Sequence, residues 1–349
     1  MENSIAGRLE RSFRSRSIWF VARILVALTI LGYLSSRLDW RELYRMASQV
    51  HLVWISIAAA LLGVTFIIGG VRLWLLLKTQ KVGARISDTV KLTFIGQFFS
   101  TFLLGTVGGD VVKIAYVMKY SHNNKGGAAL AVLIDRGIGL VILLCIAALA
   151  FPWRWYELTS QNDTRAMVFW VSVTLLLLCT AVVLFLLHAL LLKSIAAYRR
   201  KVVSLTQVPP LRLIAKTTSG LLKCWQETLW AVACSIAIYL FVFGAGYCLT
   251  RAMDLDTQIV DVVLILSIVI VVTSLPISVG GHGVREVTFI VLFDLLEVTS
   301  LGSIHGAEVA ILFSIAYFSL FLFWSVFGGG LYIGMRRRNL EHVRRKNYV

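Results

Sequence analysis

The chain has 349 residues, 58% of them hydrophobic and 15% charged, with a mean hydropathy of +0.81. No polar, periodic block of domain size interrupts the apolar runs, which excludes a separate soluble domain and points to a polytopic membrane protein. The net charge of +16 falls in the flanks and loops of apolar runs, where the positive-inside rule and anionic lipid account for it without a nucleic-acid partner.

The first apolar run, 18–34, follows Arg8, Arg11, Arg14 and Arg16, and is read as a retained first span with its amino end in the cytoplasm. A second span is expected over 52–71. Arg72, Lys78, Lys81, Arg85 and Lys91 then mark a cytoplasmic segment, with an apolar interfacial turn at residues 73–77. The chain re-enters at about Leu92. Lys91 lies before the run around Phe98, and Lys113, Lys119 and Lys125 lie after it, so both ends favour the cytoplasm and a re-entrant hairpin is expected. Its glycine-rich turn, 105–110, is expected to be non-helical and to face a cavity, because irregular backbone at membrane depth must be buried in protein or wet.

The next span, 127–151, carries Asp135-Arg136 inside an apolar helix. Ala131, Asp135 and Gly139 share one face, suited to packing against another helix. Trp153, Trp155 and Tyr156 form an outer aromatic belt, and a span over 167–192 returns the chain inside. The segment 193–226 has Lys193, Arg199, Arg200, Lys201, Arg212, Lys216 and Lys223 and no acid. It is read as a cytoplasmic linker holding an interfacial amphipathic helix after Pro209-Pro210, with Trp225 on its apolar face. A fifth span covers 228–249. Residues 259–275 descend, 276–286 break and 287–296 return, either as a hairpin or as two crossings. A last span, 307–333, leads to a basic tail, and Gly328-Gly329-Gly330 within it reads as close helix packing.

Two of these breaks share one grammar. Thr106-Val107-Gly108-Gly109-Asp110 lies over Ser278-Val279-Gly280-Gly281-His282, and Lys113 over Arg285. Such a correspondence implies an internal duplication, with a site built between the copies. The expected fold is all-α: about six to eight spanning helices, one or two re-entrant or broken segments, and an inverted internal repeat. The first half is 18–192, the linker 193–226 and the second half 228–334, with basic tails at 1–17 and 335–349.

At these residues the chain resembles the flippase-like transmembrane domain of lysylphosphatidylglycerol synthases and its stand-alone relatives. The family pattern is met at Phe98-Phe99, Gly108-Gly109-Asp110, Lys113, Asp135-Arg136, and at Pro276, Ser278, Gly280, Gly281, Gly283, Arg285 and Glu286. Leu104 stands where the family usually has Pro, Ser100 where Asn is common, and Lys113 where Arg is common. Lysine keeps the charge but loses the planar two-pronged contact. The resemblance implies movement of an amphiphilic lipid or lipid-linked glycan between leaflets of a bacterial cytoplasmic membrane, and the basic flanks at both ends of the chain put both termini inside.

The residues agree in kind. Asp110, Lys113, Asp135, Arg136, Arg285 and Glu286 would each cost about 3 kcal/mol at the centre of a spanning helix, so a shared polar cavity is expected. Gly108, Gly109, Ser278, Gly280 and Gly281 would bring backbone N–H groups near a phosphate. Arg285, Lys113 and Arg136 are expected to contact the phosphate of an anionic phospholipid or polyprenyl-phosphate-linked substrate, while Asp110, Asp135 and Glu286 orient them.

The sequence offers no nucleophile and base constellation, no phosphate-loop motif, and no pairing of Cys145, Cys179, Cys224, Cys234 and Cys248 that suggests a disulfide or zinc site. No catalytic residue, metal or cofactor is therefore expected. The alternatives are a membrane transferase or phosphatase acting on a lipid headgroup, and an accessory subunit docking a glycosyltransferase.

Overall fold

In a computed structural model, residues 50–102, 106–121, 124–154, 223–274, 283–298 and 306–347 are described. They form eight α-helices and, among the described residues, no strand: α1 (Leu52–Thr79), α2 (Ile86–Phe102), α3 (Thr106–Tyr120), α4 (Lys125–Ala150), α5 (Trp225–Ala252), α6 (Ile259–Ser274), α7 (Val284–Leu295) and α8 (Gly306–Asn347). Stretches of α1, α4, α5 and α8 are long and apolar enough to cross a membrane, which makes this a multi-pass membrane protein. The runs at 18–34 and 167–192 lie outside the described residues.

Helix length follows a pattern that occurs twice, long, short, short, long. The four short helices have 17, 15, 16 and 12 residues, below the roughly 20 needed to span. The pairs α2/α3 and α6/α7 therefore read as hairpins rather than crossings. The two sets of four also pack reciprocally: α2 on α8 as α6 on α4, α1 on α4 as α5 on α8, and α4 on α5 as α8 on α1. Between the sets, α1 and α5 run antiparallel along their whole length. The His51 N–H donates to the Ala252 carbonyl at 2.9 Å at one end, and Lys78 Nζ meets Glu227 Oε1 at 3.2 Å at the other. A duplicated unit whose first helices pair antiparallel is an inverted repeat.

Two expected boundaries move. Helix α1 does not stop at Arg72 but runs on to Thr79, with Leu73, Leu75, Leu76 and Leu77 all buried. Arg72, expected to end the span, is neutralised inside the protein by Asp135, so the apolar run continues beyond it. Trp225, placed on an interfacial helix by its spacing, is instead the first residue of α5.

Glycine decides how closely the helices approach where backbone meets backbone. A Cβ on Gly70 would stand 2.4 Å from the Val90 Cα, and one on Gly328 would stand 2.1 Å from the Phe94 carbonyl oxygen. These contacts press α2 between α1 and α8. Gly330, on the opposite side of α8, has open space where its Cβ would stand. Gly328→Ala is accordingly expected to lower the unfolding temperature of the purified protein, at an overpacking cost of about 1–3 kcal/mol, and Gly330→Ala to leave it unchanged. Equal midpoints for the two variants would contradict the contact.

Candidate functional site

Helix α4 begins at Asn124, whose side chain accepts from the Gly127 N–H and donates to the Gln80 carbonyl at the end of α1. From Lys125, ten residues at 1.5 Å each carry Asp135 about 15 Å along the helix, half the thickness of a bilayer core of about 30 Å. Asp135 and Arg136 are neighbours, so they point about 100° apart around the axis and serve different partners.

Asp135 faces inward. Its Oδ1 accepts from Arg72 Nε at 2.6 Å, and Arg72 Nη1 donates to Ser235 Oγ on α5 at 3.0 Å. One ion pair thus ties α1, α4 and α5 together. Gly139, a turn further along α4, leaves room for this group: a Cβ there would stand 3.3 Å from Arg72 Nη1 and 3.5 Å from Tyr239 Oη.

Arg136 faces the breaks. Its Nη1 forms an ion pair with Asp110 Oδ2 on α3, and its Nη2 donates to the carbonyl of Ser274, the last residue of α6, at 3.4 Å. The guanidinium therefore lies between the amino-terminal end of α3 and the carboxyl-terminal end of α6. Field and charge agree at the second, since a cation suits the carbonyls left unpaired at a helix end, while Asp110 lies just beyond the first turn of α3. This pair is also the more open of the two on α4, with 29% and 20% side-chain exposure for Arg136 and Asp110 against 12% and 9% for Arg72 and Asp135.

The second motif folds onto itself. Arg285 Nη2 meets Glu286 Oε1 at 2.5 Å, Arg285 Nε donates to Ser314 Oγ at 3.1 Å, and the guanidinium lies 4.4 Å over the Phe318 ring. Glu286 Oε2 accepts from the Gly283 N–H at 2.6 Å, where Gly283, at φ 80°, takes a left-handed conformation that glycine adopts at little cost. Arg285 and Glu286 are both buried.

The expected glycine turn over Gly108 and Gly109 gives way to helix. Both lie in the first turn of α3, because the helix already starts at Thr106. Gly109 serves packing: a Cβ there would stand 2.2 Å from the Gly96 carbonyl oxygen and from Ser100 Oγ. Gly96 in turn makes room for the stem of half-buried Lys113, whose Cε would stand 2.5 Å from a Cβ at that position. Ser278, Gly280 and Gly281 lie outside the described residues.

Of the expected site residues, the structure joins Asp110 with Arg136 and Arg285 with Glu286, and gives Asp135 to Arg72. Arg72, Ser235 and Ser314 were not expected in these roles. The available signal for Arg72 was the apolar run at Leu73–Leu77, which continues past the cation instead of ending at it. Among the described residues no cluster of side chains suits a metal ion.

No curated protein and no solved structure matches the chain. The sequence family described as "Lysylphosphatidylglycerol synthase TM region" matches residues 20–333, and so takes in both motifs, α1, α4, α5, the part of α8 up to residue 333 and the charged groups between them. The chain belongs to the lysylphosphatidylglycerol synthase transmembrane-region family.

Proposed function

We propose that this protein moves an amphiphilic lipid, a phospholipid or a polyprenyl-phosphate-linked glycan, between membrane leaflets, with the headgroup passing the charged groups between the two hairpins. The observation that carries this reading is the Arg136 bridge, one guanidinium reaching Asp110 in the first motif and the Ser274 carbonyl at the edge of the second. A polar link between two hairpins at mid-membrane depth costs free energy that a purely structural helix contact would avoid. Inverted repeats with broken helices meeting near the midplane are the architecture of many transporters, and membership of a membrane family tied by name to a lipid supports the same reading. Location in a bacterial cytoplasmic membrane, with both termini inside, belongs to it.

The test is headgroup accessibility in proteoliposomes holding fluorescent phospholipid or polyprenyl-phosphate probes. The wild-type protein is expected to move a probe, and Asp110→Ala, folded by its unfolding temperature, to slow the movement by about tenfold or more, the worth of one charge-assisted hydrogen bond. Equal rates in the two proteins, or no movement of either probe class under any gradient, would overturn the reading.

A further inference from the structure

Seven charged residues hold motif positions or pair directly with one: Arg72, Asp110, Lys113, Asp135, Arg136, Arg285 and Glu286; the buried Asp261 and the partly buried Glu308 stand apart, in the first turns of α6 and α8. Four cations face three carboxylates. Arg72 is matched by Asp135, Arg136 by Asp110, and Arg285 by Glu286. Lys113 is left over. Among the described residues its amine has no ion-pair or hydrogen-bond partner, although its stem is held in the groove that Gly96 opens on α2.

The duplication explains the surplus. Lys113 and Arg285 hold corresponding positions in the two motifs, but the next residue is Glu286 in the second copy and Ile114 in the first. The second copy neutralises its cation with an adjacent carboxylate, and the first copy lacks that carboxylate. A cation kept half-buried is costly unless an anion meets it.

We infer that Lys113 is an anion-binding residue that takes a negatively charged headgroup group, a phosphate or a carboxylate, and so makes the protein selective for anionic over zwitterionic amphiphiles. The inference rests on the translocation reading for its purpose but not for its test. Lysine suits this role as a compact point charge with rotatable donors, able to follow a headgroup that moves. Its position on α3, three residues beyond Asp110, places it one helical turn from the Arg136 bridge.

The experiment is thermal unfolding of the full-length protein in detergent, titrated separately with inorganic phosphate, dihexanoyl phosphatidic acid and dihexanoyl phosphatidylcholine. The phosphatidic acid is expected to raise the midpoint of the wild-type protein and of Lys113→Arg, and the phosphatidylcholine to have a much smaller effect. Lys113→Ala is expected to weaken the apparent affinity for the anionic lipid by about tenfold or more. Ile114→Glu builds into the first copy the pairing already present in the second, and is expected to do the same with Lys113 intact. A midpoint raised by inorganic phosphate alone would locate recognition in the free anion. A response confined to the lipid would assign it to the headgroup held with its chains.

Equal stabilisation of wild-type, Lys113→Ala and Ile114→Glu proteins by the anionic lipid would overturn the inference, as would an equal response to the zwitterion. Lys113→Ala and Lys113→Arg decide the matter even where Ile114→Glu fails to fold. Selective binding without transbilayer movement would remove the translocation reading and leave this one standing.

Discussion

Replacing Arg72 alone by leucine is expected to destabilise the protein by about 3–5 kcal/mol, because Asp135 would keep its charge at mid-membrane depth with no cation to meet it. Leu73, Ala131 and Val132, which flank the pair on α1 and α4, can supply only apolar contact. Removing both partners, Arg72→Leu with Asp135→Leu, is expected to recover most of that loss, since an ion pair replaced by apolar side chains of similar size is often neutral in stability. Reversible unfolding in mixed micelles, run as a double-mutant cycle, measures the coupling. Additive single and double effects would show that the pair does not hold α1 to α4. The same cycle separates structure from transport: a double variant that folds but no longer moves lipid would mean that Asp135 holds α4 in the rotation that aims Arg136 at the breaks.

Arg136→Lys is the second large effect, and it is one of geometry rather than charge. The guanidinium reaches Asp110 through Nη1 and the Ser274 carbonyl through Nη2, a fork between two helix ends. An ammonium group presents a single point on a shorter reach and can serve one end well or neither. Transbilayer movement is expected to fall roughly 10- to 100-fold, the equivalent of one lost hydrogen bond to a charged group, while the unfolding temperature changes little because this pair is the more open one. The proteoliposome assay used for Asp110→Ala reads the rate. Wild-type movement in Arg136→Lys would show that charge alone is needed there and would remove the bridge from the mechanism.

These two arginines also show where a linear reading fails. Arg72 stands in sequence beside Lys78, Lys81 and Arg85, and an inside-positive cluster is what hydropathy and charge predict there. Its partner is 63 positions away on another helix, and only packing α4 against α1 turns the cation into part of the core. Glycine posed the same difficulty. Gly108-Gly109 signals either a turn or a close approach, and local chemistry does not separate them. The contact of Gly109 with Gly96 and Ser100 of α2 decides for close approach.

The sequence by itself determined the membrane class, the spans at α4, α5 and α8, the motif common to the two pairs of short helices, and the interior charges other than Arg72. Each of these is written in local composition or in a repeat, and a bilayer imposes a length and polarity rule that a linear string can be tested against. Only the tertiary structure decided which charge meets which. It paired Asp135 with Arg72, set Arg136 between the ends of α3 and α6, closed Arg285 onto Glu286, and left Lys113 without a carboxylate among the described residues. Ion pairing at low dielectric depends on distances of a few ångströms between helices far apart in the chain, and those distances are set by how glycines and apolar faces let the helices pack.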